Sequence, residues 1–142
     1  MNEMIKEIEF KTPSTIKVNL LKNGDGVEFL LNEDIIKLEA KHNQDCCERV
    51  YADFGILSYY LNDNNYLRSP YVDFIKLIIK KVEKVGILLI FKRDEDYYQK
   101  ILIPCYNEQN GYYSDNLILK ITHNGKTEEI DITECNQDLI FP

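Results

Sequence analysis

The chain has 142 residues, a mass of 16.7 kDa and a formal net charge of −7, with 17 Lys and Arg against 24 Asp and Glu. No apolar run reaches the ~18 residues needed to span a bilayer, and Met1 to Glu7 mixes charged with apolar residues instead of building a signal sequence. The acidic balance argues against a groove that tracks a phosphate backbone, because such binding needs clustered cations. The expectation is one soluble, cytoplasmic globular domain over residues 1–142, with no membrane and no direct nucleic-acid contact.

Ile, Leu, Val and Phe supply 45 residues, well above the ~20% that marks disorder. Only 2 Ala stand against 18 Ile and 10 Tyr, and since Ala favours helix while Ile and Tyr favour strands, the composition leans toward sheet. Part of the Ile, Lys and Asn excess fits an AT-rich coding sequence. Four cysteines are too sparse for a disulfide scaffold, and Cys46 and Cys47 are adjacent, so reduced thiols are expected.

In chain order, residues 4–10 alternate as a strand ending at Pro13, and residues 15–21 form a second, with Ile16, Val18 and Leu20 on one face. Asn23-Gly24-Asp25-Gly26 is a hairpin turn that joins it to residues 27–31. Residues 35–42 make the next strand. Asp53 is placed to cap a short helix over residues 53–62, in which Phe54, Leu57 and Leu61 share a face. Residues 71–85 fit a helical spacing, yet their β-branched Ile and Val favour strand. Strands follow over residues 87–91, 98–105, 116–122 and 128–132. Lys92-Arg93-Asp94-Glu95-Asp96 forms a charged turn, residues 107–111 a second, and Asn124-Gly125 another hairpin.

Two constellations could carry chemistry. His42-Asn43-Gln44-Asp45-Cys46-Cys47-Glu48 gathers an imidazole, two carboxylates and two thiols. A zinc site would need better spacing, since adjacent extended residues point to opposite faces and no Cys-x-x-Cys knuckle exists. A nucleophilic thiol is disfavoured because Asp45 and Glu48 flank the pair, and nearby anions raise a thiol pKa. The plain alternative is one buried packing cysteine beside a turn capped by Asp45. Asn110-Gly111-Tyr112-Tyr113-Ser114 is a turn followed by two tyrosines. They either divide between core and surface or offer a stacking platform for a planar ligand. The doublets Tyr59-Tyr60 and Tyr97-Tyr98 repeat the pattern. No phosphate loop, metalloprotease or hydrolase signature occurs.

Together, His42-x-x-Asp45-Cys46-Cys47-Glu48-x-Val50-Tyr51 and Asn110-Gly111-Tyr112-Tyr113-Ser114 resemble a family of small phage and prophage proteins of unknown function. The resemblance covers about residues 15–122. It departs from the family at Tyr106, where a Trp is common, and in the loop from Asn62 to Pro70. It implies an α+β fold, a mostly antiparallel sheet built from hairpins with one short helix, and it tips residues 71–85 toward strand. It supplies no activity.

The expected function is non-enzymatic binding without cofactor or metal. The partner is either a host protein, such as a defence protein to be inhibited, or a small nucleotide-like ligand. The binding residues would be His42, Asp45, Cys46, Cys47 and Glu48 with Asn110, Gly111, Tyr112, Tyr113 and Ser114. The alternatives are a metal- or thiol-dependent enzyme built on His42, Asp45, Cys46 and Cys47, and a virion or assembly component. The tyrosine content exceeds what a small core can satisfy, so a homodimer is expected.

Overall fold

A computed structural model describes residues 2–42, 50–68, 73–108 and 116–138. Its strands are β1 (Asn2–Ser14), β2 (Lys17–Leu20), β3 (Gly26–Leu30), β4 (Ile35–Lys41), β5 (Val50–Ala52) and β6 (Phe74–Val82). They continue with β7 (Gly86–Lys92), β8 (Tyr98–Asn107), β9 (Ile118–His123), β10 (Lys126–Asp131) and β11 (Asn136–Asp138). Within the segment 71–85, residues 74–82 are thus strand: β-branched side chains pack well on a pleated surface and crowd a helical turn.

The strands form two sheets. In the larger, the order is β1-β6-β7-β8-β11, and β5 also pairs with β8. The smaller runs β10-β9-β4-β3-β2 and is antiparallel throughout. β8 outlasts β7, and its last residues are held on both edges, antiparallel by β5 and parallel by β11. That parallel pair is the exception to the expected antiparallel pattern. Strands of three residues such as β5 and β11 are too short to show a period.

Inward-facing side chains of both sheets make one core. Phe29 of β3 meets Phe91 of β7 edge to face, with ring centroids 5.1 Å apart, and Phe74 lies 6.0 Å from Phe91. Ile36, Leu38, Leu77, Ile79, Leu89 and Ile101 complete its centre. The outer edge of β2 is covered by the segment after the helix: Val18 N donates to Asn65 O at 2.8 Å, and Leu67 N to Ile16 O at 2.9 Å. A covered edge does not recruit foreign strands.

Several expectations are corrected in detail. The helix of residues 53–62 is a 3-10 helix, Phe54–Tyr60, and the Asp53 side chain makes no capping hydrogen bond. Its backbone N–H donates instead to Pro104 O at 2.8 Å. Among the described residues no α-helix occurs, so the helical part of the α+β expectation reduces to 3-10 turns. β1 runs through Pro13, its register broken between Glu9 and Ser14 where the proline sits, as a residue lacking an N–H requires. The Asn23-Gly24 hairpin is wider than a two-residue turn, since a 3-10 turn over Lys22–Gly24 separates the last pair, Leu20 and Val27. Asn124-Gly125 behaves as expected: both residues have positive φ (53° and 74°) between the paired His123 and Lys126, the backbone of a tight hairpin turn.

Candidate functional site

Of the ten binding residues expected from the sequence, only His42 lies within the described residues; Asp45, Cys46, Cys47, Glu48 and Asn110 to Ser114 lie outside them. Residues that flank the two motifs are described. Those flanks do pair. Lys41 at the end of β4 is the register partner of Ile118 at the start of β9, and Val50 of β5 is that of Asn107 of β8. The His42 Nδ1–H donates to the Asn116 carbonyl; a carbonyl only accepts, so this bond fixes the proton on Nδ1. Tyr51 Oη–H donates to Glu108 Oε1 at 3.1 Å, and the Tyr51 and Tyr106 rings lie 5.5 Å apart. The described residues on either side of the two motifs are thus register partners.

Two further clusters are structural in character. His123 Nε2–H donates to Asp34 Oδ2 at 2.6 Å, and the Asp34 side chain is 4% exposed. Asp34 Oδ1 also accepts from Ile35 N at 3.1 Å. The pair ties the β3–β4 turn to the β9–β10 turn. Between these turns lies an open groove of about 580 Å³. Cys105 and Cys135 are free and fully buried. Burial pushes the Cys135 thiol up to about 11 and Cys105 further still, so both are inert at neutral pH. Among the described residues no group of three or more His, Cys, Asp or Glu is placed to hold a metal ion.

The outer face of the larger sheet is different. Register pairing sets Lys76 beside Lys92 and Tyr98, Ile78 beside Ile90 and Lys100, and Lys80 beside Leu88 and Leu102. Ile78 and Ile90 are buried, yet both stand outside the core cluster. Residues Ile78, Lys80, Ile90, Lys92, Glu95, Tyr98 and Lys100 line a groove of about 250 Å³.

Two of the four lysines there are engaged by carboxylates. Lys76 Nζ lies 2.8 Å from Glu7 Oε1, a hydrogen bond that holds Lys76 above and Glu7 below its ordinary pKa. Lys92 Nζ lies 3.4 Å from Glu95 Oε2. Lys80 and Lys100 have no ion-pair partner among the described residues. Lys100 Nζ stands 5.4 Å from the centre of the half-exposed Tyr98 ring. Glu7, Glu9 and Glu95 share this face, so its four lysines leave only a small positive excess, on a chain of charge −7.

Sequence reasoning passed over this face because residues 71–85 were open between helix and strand. Once they are strand, Lys76-x-Ile78-x-Lys80 and Ile90-x-Lys92 each put their side chains on one face at period two. That pattern is the signal that would have found it. Comparison with family models, with curated proteins and with solved structures gave no match.

Proposed function

We propose that this protein acts by binding rather than catalysis, and that its partner is anionic and meets the outer face of the larger sheet. One observation carries the reading: lysines ring an apolar floor on the surface of an otherwise acidic protein. Complementary potential steers encounter and suppresses wrong partners. Of the partners expected from the sequence, a small nucleotide-like ligand suits this face better than a host protein. A groove of about 250 Å³ sits just below the ~300–1,000 Å³ of drug-sized sites, and a protein interface would need a much broader patch. The role that belongs to this proposal is a trap for such a ligand in the host cytoplasm.

Affinity purification from cell extract, followed by mass spectrometry of what is retained, tests this. Wild type is expected to carry an anionic species that Lys80→Gln/Lys100→Gln loses. Equal retention by the two proteins would refute the reading.

A protein partner is favoured by one other feature. β10 is an edge strand on which Glu128, Glu129 and Asp131 are exposed, an acidic rim suited to a basic host enzyme. The homodimer belongs to the same proposal. None of the described tyrosines is buried, and Tyr59 is 75% exposed, as interface tyrosines are before assembly. Sedimentation velocity would then return a dimer's mass; a monomer at every concentration would remove this part.

A further inference from the structure

We propose that the groove over β6, β7 and β8 takes a nucleoside monophosphate, one phosphate monoester joined through a sugar to a flat base, and that Glu95 occupies the anion's place in the free protein. The inference rests on the anion-binding reading above and narrows it to a ligand class.

Charge sets the class. Lys80 and Lys100 are the two cations of the groove without a carboxylate partner among the described residues. A phosphate monoester carries about −1.5 to −2 at neutral pH, which these two neutralise. A triphosphate would bring more charge than the face can match even with Lys92 freed from Glu95, on a protein whose net charge of −7 repels it. A polyanion is excluded by the same arithmetic, since phosphate-backbone binding rests on many cationic contacts. Lysine suits the task because its ammonium is a compact charge with three rotatable donors.

Size and shape set the rest. The groove of about 250 Å³ is small enough to limit the ligand to one base with its sugar and phosphate. Ile78 and Ile90 give an apolar floor, and Tyr98 offers an aromatic surface at the rim. Stacking on an aromatic side chain contributes about 1–3 kcal/mol per base.

Glu95 is the internal competitor. Its carboxylate meets Lys92 at 3.4 Å while the side chain stays 85% exposed, a pairing of the kind that contributes about 0–1 kcal/mol. The turn that carries it is held by other bonds. Asp94 Oδ1 accepts from Asp96 N at 2.8 Å and Tyr97 N at 2.9 Å, and Arg93 N donates to Tyr97 O at 2.9 Å. The Glu95 side chain can therefore swing away without unmaking the turn, freeing Lys92 as a third donor.

Calorimetric titration of the full chain with the common ribonucleoside monophosphates, the matching nucleosides and inorganic phosphate tests this. At least one monophosphate should bind more tightly than both its nucleoside and free phosphate. Lys80→Gln/Lys100→Gln should weaken it at least about tenfold, the scale of a lost charge-assisted hydrogen bond. Glu95→Gln should tighten it severalfold. Free phosphate binding as well as every monophosphate, with the same lysine dependence, would overturn the ring-bearing ligand and leave the anion site standing. Monophosphate binding indifferent to the lysines would overturn both. An unchanged affinity in Glu95→Gln would overturn the competitor role, and no binding of any probe to wild type or Glu95→Gln would overturn the ligand class.

Discussion

Ile78 and Ile90 face each other across β6 and β7, 8% and 4% exposed, on the side of the sheet away from the core. Both line the same groove as Lys80, Lys92 and Lys100, so its charge and its apolar floor lie side by side. Truncating Lys92 or Lys100 to Ala would remove part of the groove's lining as well as a charge. Gln retains much of the stem, which is why the variants proposed here use it.

The close packing of the larger sheet fixes Gly86 at the start of β7. A Cβ built there would stand 2.1 Å from the Ile103 carbonyl oxygen and 2.9 Å from Pro104 Cα. Both are backbone atoms of the partner strand and have no rotamer to escape into. Gly86→Ala is expected to destabilise by about 1–3 kcal/mol, the cost of overpacking. A chemical-denaturation midpoint equal to wild type would contradict this.

The clasp between the two turns of the smaller sheet makes a second prediction. His123→Ala leaves the buried Asp34 carboxylate with Ile35 N but without its imidazole. The expected cost is about 1–3 kcal/mol, because a buried acceptor loses a partner. Asp34→Asn should cost less, since an amide oxygen still accepts the Nε2–H. Denaturation curves that rank the two variants in the opposite order would show that the clasp is not what holds the turns.

The buried thiols predict a labelling pattern. With Cys135 titrating at about 11, roughly one molecule in ten thousand carries its thiolate at neutral pH, and Cys105 fewer. Timed alkylation should label neither until the protein unfolds. Rapid labelling of Cys105 or Cys135 under native conditions would contradict their burial. The same experiment reads Cys46 and Cys47: the sequence expects one to label slowly and the other only on unfolding.

How much of this was legible beforehand differs by element. The Asn124-Gly125 hairpin was readable because its dipeptide dictates local backbone geometry. The strand β6 was half readable: its Lys-x-Ile-x-Lys alternation is visible, but the same residues also satisfy a helical spacing, and only pairing with β1 and β7 decides between them. β5 and β11 were not readable, since three-residue strands exist only because β8 overhangs its neighbour. The parallel β11 depends on where a distant chain segment returns. For the site, residue chemistry pointed to the Asp-Cys-Cys-Glu and Gly-Tyr-Tyr-Ser strings, which lie outside the described residues. The lysine face emerges from three strands at once, and no local motif records such a juxtaposition.

The central claim, that the outer face of the larger sheet is the anion-binding surface, is tested most directly by amide chemical-shift mapping of isotope-labelled protein titrated with a ribonucleoside monophosphate. Shifts are expected to concentrate at Lys80, Lys92 and the segment from Glu95 to Lys100, to saturate with ligand and to vanish in Lys80→Gln/Lys100→Gln. Shifts centred instead on the groove by Asp34 and Gly125, or none at all, would contradict it.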